Sequence, residues 1–270
     1  MKRSPDYSRY TENLSVEVED RILTLTLNNP EKLNANTEAM HWSLSRIWDD
    51  IDADPDVQVV IFTGAGEKAF SAGGDPAHME KNIGNVDHWT KVSAEAKRII
   101  SGMLACNKPV IARLNGHAIG FGSTLALAAD IIVGVEGAKF GDPHCNAGLV
   151  CGDGGALLWP HQIGRALAKE FLFTGRLVKM EEAAAIGLIN YAVPREELDP
   201  KVMELARSIA DGAGRAIQMT KNVLNLSLRQ EALASMDLGM ASEMLSADSD
   251  DHREAVRAMI EKRDPKFSGR

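Results

Sequence analysis

Sixteen residues, FGDPHCNAGLVCGDGG from Phe140 to Gly155, hold one histidine, two aspartates, two cysteines and five glycines. His144 and Asp153 are the residues there whose types suit proton transfer. An imidazole titrates near neutral pH, and an aspartate beside it fixes the tautomer and stabilises the imidazolium. Together they have the make-up of a general base. The plainer alternatives are that His144 caps a turn and that Asp153 is a helix N-cap ahead of Gly154. His144, Cys145 and Cys151 lack the paired spacing of a zinc site, so no metal is expected. The two cysteines read as small fillers.

Two further segments ask for unusual backbone: Ser71-Ala72-Gly73-Gly74-Asp75-Pro76 and Asn115-Gly116-His117-Ala118-Ile119-Gly120-Phe121-Gly122. Each follows an expected strand, and the second opens a helix. Glycine lets backbone approach a ligand closely, and a helix start leaves N–H groups free. One N–H from each loop could hold a developing oxyanion. Both segments also read as ordinary tight turns. Neither is a phosphate-binding P-loop, because no Gly-Lys-Ser/Thr follows.

The elements that must position these segments follow from hydrophobic periodicity. Ser15 to Asn28 alternates around a polar Glu19-Asp20-Arg21 and predicts a hairpin. Thr37 opens a helix with Met40, Leu44, Ile47 and Ile51 on one face. Val57–Gly64, Lys108–Gly116 and Asp130–Val135 read as buried strands, with a helix over 87–106 and another after the glycine turn at 120. That alternation predicts an α/β core with parallel pairing. Beyond about residue 160 the pattern turns helical: 165–173, 180–186, 196–211, 230–247 and 252–263. No internal repeat is visible.

The bulk properties narrow the function. The chain has 270 residues, 44% hydrophobic and 25% charged, with a net charge of −8. That is ordinary for a globular protein and argues against a nucleic-acid partner. No apolar run approaches the ~20 residues of a membrane span. The N-terminus has no apolar signal region, and three cysteines suit a reducing compartment. A cytoplasmic location is expected.

The motifs resemble those of the crotonase (enoyl-CoA hydratase/isomerase) superfamily. Asn29-Pro30-Glu31-Lys32-Leu33-Asn34-Ala35 is similar to its NRPEKLNAL motif, and Lys68–Asp75 to its KAFxAGxDL loop. Lys108–Gly116, with Gly120, Gly122 and Asp130-Ile131, resembles its KPVIAAVNGxAxGGG stretch. Leu172–Gly175 and Ala183–Asn190 match later segments in order. The resemblance implies a crotonase-like β-β-α spiral core over 1–195 and a helical C-terminal trimerisation region over 196–270. It implies an acyl-CoA substrate, no cofactor beyond that coenzyme A, and a homotrimer or hexamer. It places an oxyanion hole at the N–H groups of Gly74 and Phe121. It places coenzyme A and substrate contacts at Lys32, Leu33, Asn34, Ala35, Ala72, Gly73, Asp75, Gly120, Thr124, Pro143, Gly152 and Phe267.

The two glutamates that a hydratase of this family uses fall at Thr124 and His144, so both carboxylates are missing. The segment around His144 and Asp153, with Trp159-Pro160-His161 after it, resembles instead the carbon–carbon-bond hydrolase branch, such as 6-oxocamphor hydrolase. That branch adds a glutamate whose best match is Glu243, otherwise a solvated helix residue. Its second histidine falls at Phe121 and its pocket tryptophan at Ala35. The expectation is an acyl-CoA enzyme of the hydratase/isomerase type, with His144 and Asp153 in place of the glutamates and Glu243 beside them. A hydrolase using the same pair and a non-catalytic coenzyme A binder are the alternatives.

Overall fold

The computed structural model describes residues 4–10 and 12–270. The chain begins with a hairpin, β1 (Leu14–Glu19) and β2 (Ile22–Leu27), paired antiparallel from Leu14 with Leu27 to Glu19 with Ile22. Asp20 and Arg21 both take positive φ, the two-residue turn whose twist suits a hairpin. α1 (Glu38–Ala53) starts at Thr37, whose side chain accepts the Met40 N–H at 3.1 Å. Its expected stripe, Met40, Leu44, Ile47 and Ile51, is buried.

Three similar passages follow. β3 (Val59–Gly64) leads to the three-residue β4 (Ala69–Ser71), then to α2 (Pro76–Lys81) and α3 (Val86–Ala105). β5 (Val110–Leu114) leads to β6 (His117–Ile119) and α4 (Phe121–Leu127). β7 (Ile131–Val135) leads to β8 (Lys139–Gly141) and α5 (Gly155–Thr174), which kinks at Gly164. The long strands share one sheet in the order β1-β2-β3-β5-β7, parallel from β2 onward. The short ones form a second sheet, β4-β6-β8. This is the β-β-α spiral that the resemblance implies. The repeat lies in the backbone path, which different side chains can follow. The short strands lie where the sequence reads as loops, because three residues are too few to show a period.

The rest of the chain packs onto this spiral. β9 (Val178–Lys179) joins the second sheet, α6 (Met180–Ala185) follows, and β10 (Tyr191–Val193) joins the first beside β7. α7 (Arg195–Ala210) buries Leu198, Val202 and Ala206 in the same core as the strands. α8 (Gly214–Leu224), which the sequence did not announce, keeps most of its apolar residues outside that core. α9 (Leu226–Ser246) packs against α3 and α5, and α10 (Asp250–Glu261) against α2. No helix among the described residues is long and apolar enough to cross a membrane.

Candidate active site

The C-terminal ends of three neighbouring short strands deliver the chemistry. After β4 come Ala72–Asp75, after β6 Gly120 and Phe121, and after β8 Asp142–His144. Parallel pairing places these ends side by side, so segments about fifty and seventy residues apart in sequence meet at one edge. They open onto a cavity of about 470 Å³, within the ordinary size of a small-molecule site.

The two candidate oxyanion donors fit their expected places. Gly74 and Phe121 both line the cavity, and neither N–H has a partner among the described residues. Phe121 is the first residue of α4, where an intrahelical acceptor is lacking. The loops that carry them touch. Gly73 has φ +80°, and a Cβ there would stand 3.4 Å from the Phe121 nitrogen and 2.7 Å from the Ile119 carbonyl oxygen. Only glycine suits both that conformation and that approach.

His144 sits between two carboxylates rather than one. Its Nδ1 meets Asp142 Oδ1, and its Nε2 lies 3.4 Å from Asp153 Oδ2, an ion-pair separation. The ring stands over Gly120, with Cε1 3.9 Å from where a Cβ would lie. Asp142 is fully buried behind the ring, whereas Asp153 lines the cavity. Thr124 Oγ1 donates to Asp153 Oδ1 at 3.2 Å, and the Gly155 N–H reaches the same oxygen at 3.3 Å. Asp153 thus serves the start of α5 and faces the cavity together. The sequence reading overlooked Asp142, two residues before His144; its place beside Pro143 was the available signal.

Glu243 completes the cluster from α9. It is 5% exposed and lines the cavity, and its Oε2 has no partner among the described residues, so the solvated reading of this residue is overturned. Burial together with the nearby Asp153 charge pushes its carboxyl up to about 8. Burial also raises Asp153, and the His144 imidazolium opposes that rise. For His144 burial works against the charged ring, yet Asp142, Asp153 and Glu243 outweigh it and hold the imidazole well above its ordinary value. Ligand atoms of Asp142, His144 and Asp153 fall within 4.8 Å of one another. The imidazole already engages a carboxylate at each ring nitrogen, so it supplies the cation the carboxylates need. Burial and the same carboxylates raise the Cys151 thiol, and burial raises Cys145, which argues against a thiolate nucleophile.

The expected coenzyme A contacts divide. Ala72, Asp75, Gly120 and Pro143 line the cavity. Lys32, Leu33, Asn34, Ala35, Gly73, Thr124, Gly152 and Phe267 do not. Asn34 is fully buried, and its side-chain amide donates to the carbonyls of Ala65 and Ala69 at 2.9 Å, so its side chain is committed to the fold. Thr124 holds Asp153. Lys32 Nζ bridges to Asp75 Oδ2 at 2.7 Å, and the Ala72 N–H donates to the Leu33 carbonyl. That strap joins the 32–35 segment to the loop bearing Gly74. Phe267 is half exposed on the tail beyond α10.

Comparison with known proteins agrees with this geometry. The family model described as Enoyl-CoA hydratase/isomerase matches residues 17–270. The chain is 31% identical over 256 residues to the crotonyl-CoA hydratase of Syntrophomonas wolfei, covering 95% of this chain and 98% of that one. It is 32% identical over 257 residues to the 1,2-epoxyphenylacetyl-CoA isomerase of Escherichia coli, covering 94% and 97%. A crystal structure of an enoyl-CoA hydratase/isomerase from Mycobacterium paratuberculosis superposes with a TM-score of 0.87 at 34% identity, covering 91% and 97%. The chain belongs to the enoyl-CoA hydratase/isomerase family, and its fold is the crotonase fold. It is an acyl-CoA-processing enzyme of that type.

Proposed function

We propose that the protein forms and reprotonates a thioester enolate on an acyl-CoA, as an isomerase or hydratase. The observation that carries this is one cavity holding two unpartnered N–H donors, a buried carboxylate against an imidazolium, and a carboxyl pushed up to about 8. The thioester oxygen would lie between the Gly74 and Phe121 N–H groups, which stabilise the charge that develops when the α-proton leaves. The sequence reading gave the base's role to His144. With Asp142 behind the ring, the imidazole keeps its proton, and the acceptor's role passes to Asp153. Glu243, protonated at neutral pH, is the donor that returns a proton to the carbon chain. Proton removal and return at different carbons moves a double bond; with water added across it, the same pair hydrates.

A hydrolase is the second reading. It is favoured by the missing carboxylates at Thr124 and His144, since Asp153 and His144 would then activate water against a carbonyl. Incubation of saturated and unsaturated acyl-CoAs in D₂O, followed by mass spectrometry, separates the two. The expected result is deuterium at the α-carbon, or gain of water, with the thioester intact. Release of coenzyme A, or cleavage into two shorter products without α-exchange, would replace this reading with the hydrolase.

A homotrimer or a pair of trimers is part of the same proposal. α8 and α9 leave Met219, Val223, Leu224, Leu233 and Leu238 exposed, a face that self-association would cover. Three free cysteines suit the cytoplasm.

A further inference from the structure

A second buried titratable pair lies in the cavity wall, on elements that the proton-transfer cluster does not use. His41 of α1 donates or accepts through Nδ1 to Glu95 Oε2 of α3 at 2.9 Å, and both residues line the cavity. They are 5% and 4% exposed. The other Glu95 oxygen lies 3.6 Å from Arg46 Nη1, and Arg46 is itself fixed over the Trp42 ring. Burial works against the charged form of Glu95, but His41, Lys91 and Arg46 outweigh it and hold the carboxylate below its usual range. An ionised Glu95 accepts from Nδ1–H. That leaves Nε2 as the ring's free polar atom, with no partner among the described residues and not sealed from the cavity.

This pair is a poor staple for two helices. The neighbouring part of the α1–α3 seam is apolar, with Leu44, Ile47 and Trp48 against Ile99, Ile100 and Met103. An apolar pair at 41 and 95 would hold the same seam without burying charge. The cavity wall around it is mixed: Met79, Trp89, Val92, Ala96 and Phe121 are apolar, Glu38, His88 and Lys91 are polar, and Lys91 is engaged with Glu38 at 3.3 Å; the His41 and Phe121 rings lie 5.4 Å apart. A plain hydrocarbon chain seated there would leave the Nε2 nitrogen without a hydrogen-bond partner, which costs free energy. A hydroxyl on the chain would satisfy it.

We infer that His41, oriented by Glu95, selects acyl-CoA substrates whose acyl group carries a hydroxyl beyond the reacting carbons. This rests on the seating of the acyl group in this cavity, as proposed above, and adds the class of acyl group. His41 acts as a specificity residue, separate from the Asp153 and Glu243 chemistry.

The test is equilibrium binding by calorimetry with two pairs of saturated thioesters, which neither hydrate nor isomerise: hexanoyl- and 6-hydroxyhexanoyl-CoA, and 3-phenylpropionyl- and 3-(4-hydroxyphenyl)propionyl-CoA. At least one hydroxylated member should bind about tenfold more tightly than its partner, the effect of one net hydrogen bond. His41→Phe should remove that preference and leave the parent's affinity within about threefold. Glu95→Gln, which frees the tautomer at nearly constant volume, should cut the preference by about threefold or more, and it decides the matter if His41→Phe does not fold. Equal binding within both pairs, or a preference that survives in the variant, overturns the inference alone. Failure of all four thioesters to bind overturns the proposed seating of the acyl group in this cavity and this inference with it.

Discussion

Gly152 and Gly239 meet backbone to backbone: a Cβ on Gly152 would stand 2.1 Å from the Gly239 carbonyl oxygen and 3.1 Å from the Glu243 Cβ. This contact lets α9 close on the loop bearing Asp153 and brings Glu243 into the cavity. Gly152→Ala must push the helix back. The expected outcome is a loss of about 1–3 kcal/mol in unfolding free energy and a fall in kcat greater than the change in KM. Denaturant melts and steady-state kinetics on the same variant measure both. An unchanged kcat would show that Glu243 does not depend on this approach.

Asp142 and Asp153 should differ in what they do to His144. Asp153→Asn removes the proposed proton acceptor and should lower kcat/KM by about 10²–10⁴-fold. Asp142→Asn leaves the acceptor but removes the carboxylate behind the ring. The His144 ring-proton titration, followed by NMR, should then move to lower pH. If Asp142→Asn left that midpoint in place, Asp142 would not be the group that keeps the imidazole protonated.

Glu243 sets an expected pH dependence. Its carboxyl is raised to about 8 by burial and by Asp153, against an ordinary value near 4.5. A required acid with that value gives a kcat that falls above about pH 8. For stability, the folded state holds this proton between about 4.5 and 8 while the unfolded state has released it. The associated stability is therefore fully present below 4.5 and is lost as pH rises toward 8. His144, also raised, adds loss in the same direction above 6.5. The protein should melt at a higher temperature at pH 6 than at pH 8.5. Glu243→Gln should flatten that slope and lower kcat itself by about 10²-fold or more, leaving a residual rate without the alkaline fall.

Gly73→Ala addresses the oxyanion hole without touching an ionisable group. The added methyl meets the Ile119 carbonyl and crowds the Phe121 nitrogen. Positive φ adds strain of the order of 1–3 kcal/mol. A fall in kcat of about 10²-fold or more is expected, with the far-ultraviolet dichroism retained. Wild-type kcat in a folded Gly73→Ala protein would remove the Phe121 N–H from the mechanism.

Much of the fold was legible because the large sheet is written in long apolar runs such as Val59–Phe62 and Ile132–Val135, buried on both faces. Thr37 marked the start of α1 through its own cap. The second sheet was not legible, because β4, β6 and β8 have three residues each and are held by pairing with one another. α8 escaped notice because it turns most of its apolar residues away from the core.

Residue type and order suffice for the family, the two glycine loops and the unusual pair His144 and Asp153, so these are readable along the chain. The protonation of the site depends on packing. The pairing of the short strands' ends set Asp142 behind His144, and the contact at Gly152 sank Glu243 beside Asp153. How far a carboxyl is raised depends on burial and on charges a few ångströms away, and neither is a property of spacing along the chain. The same reason hid His41 and Glu95, fifty-four residues apart, which share a hydrogen bond only because α1 and α3 pack side by side.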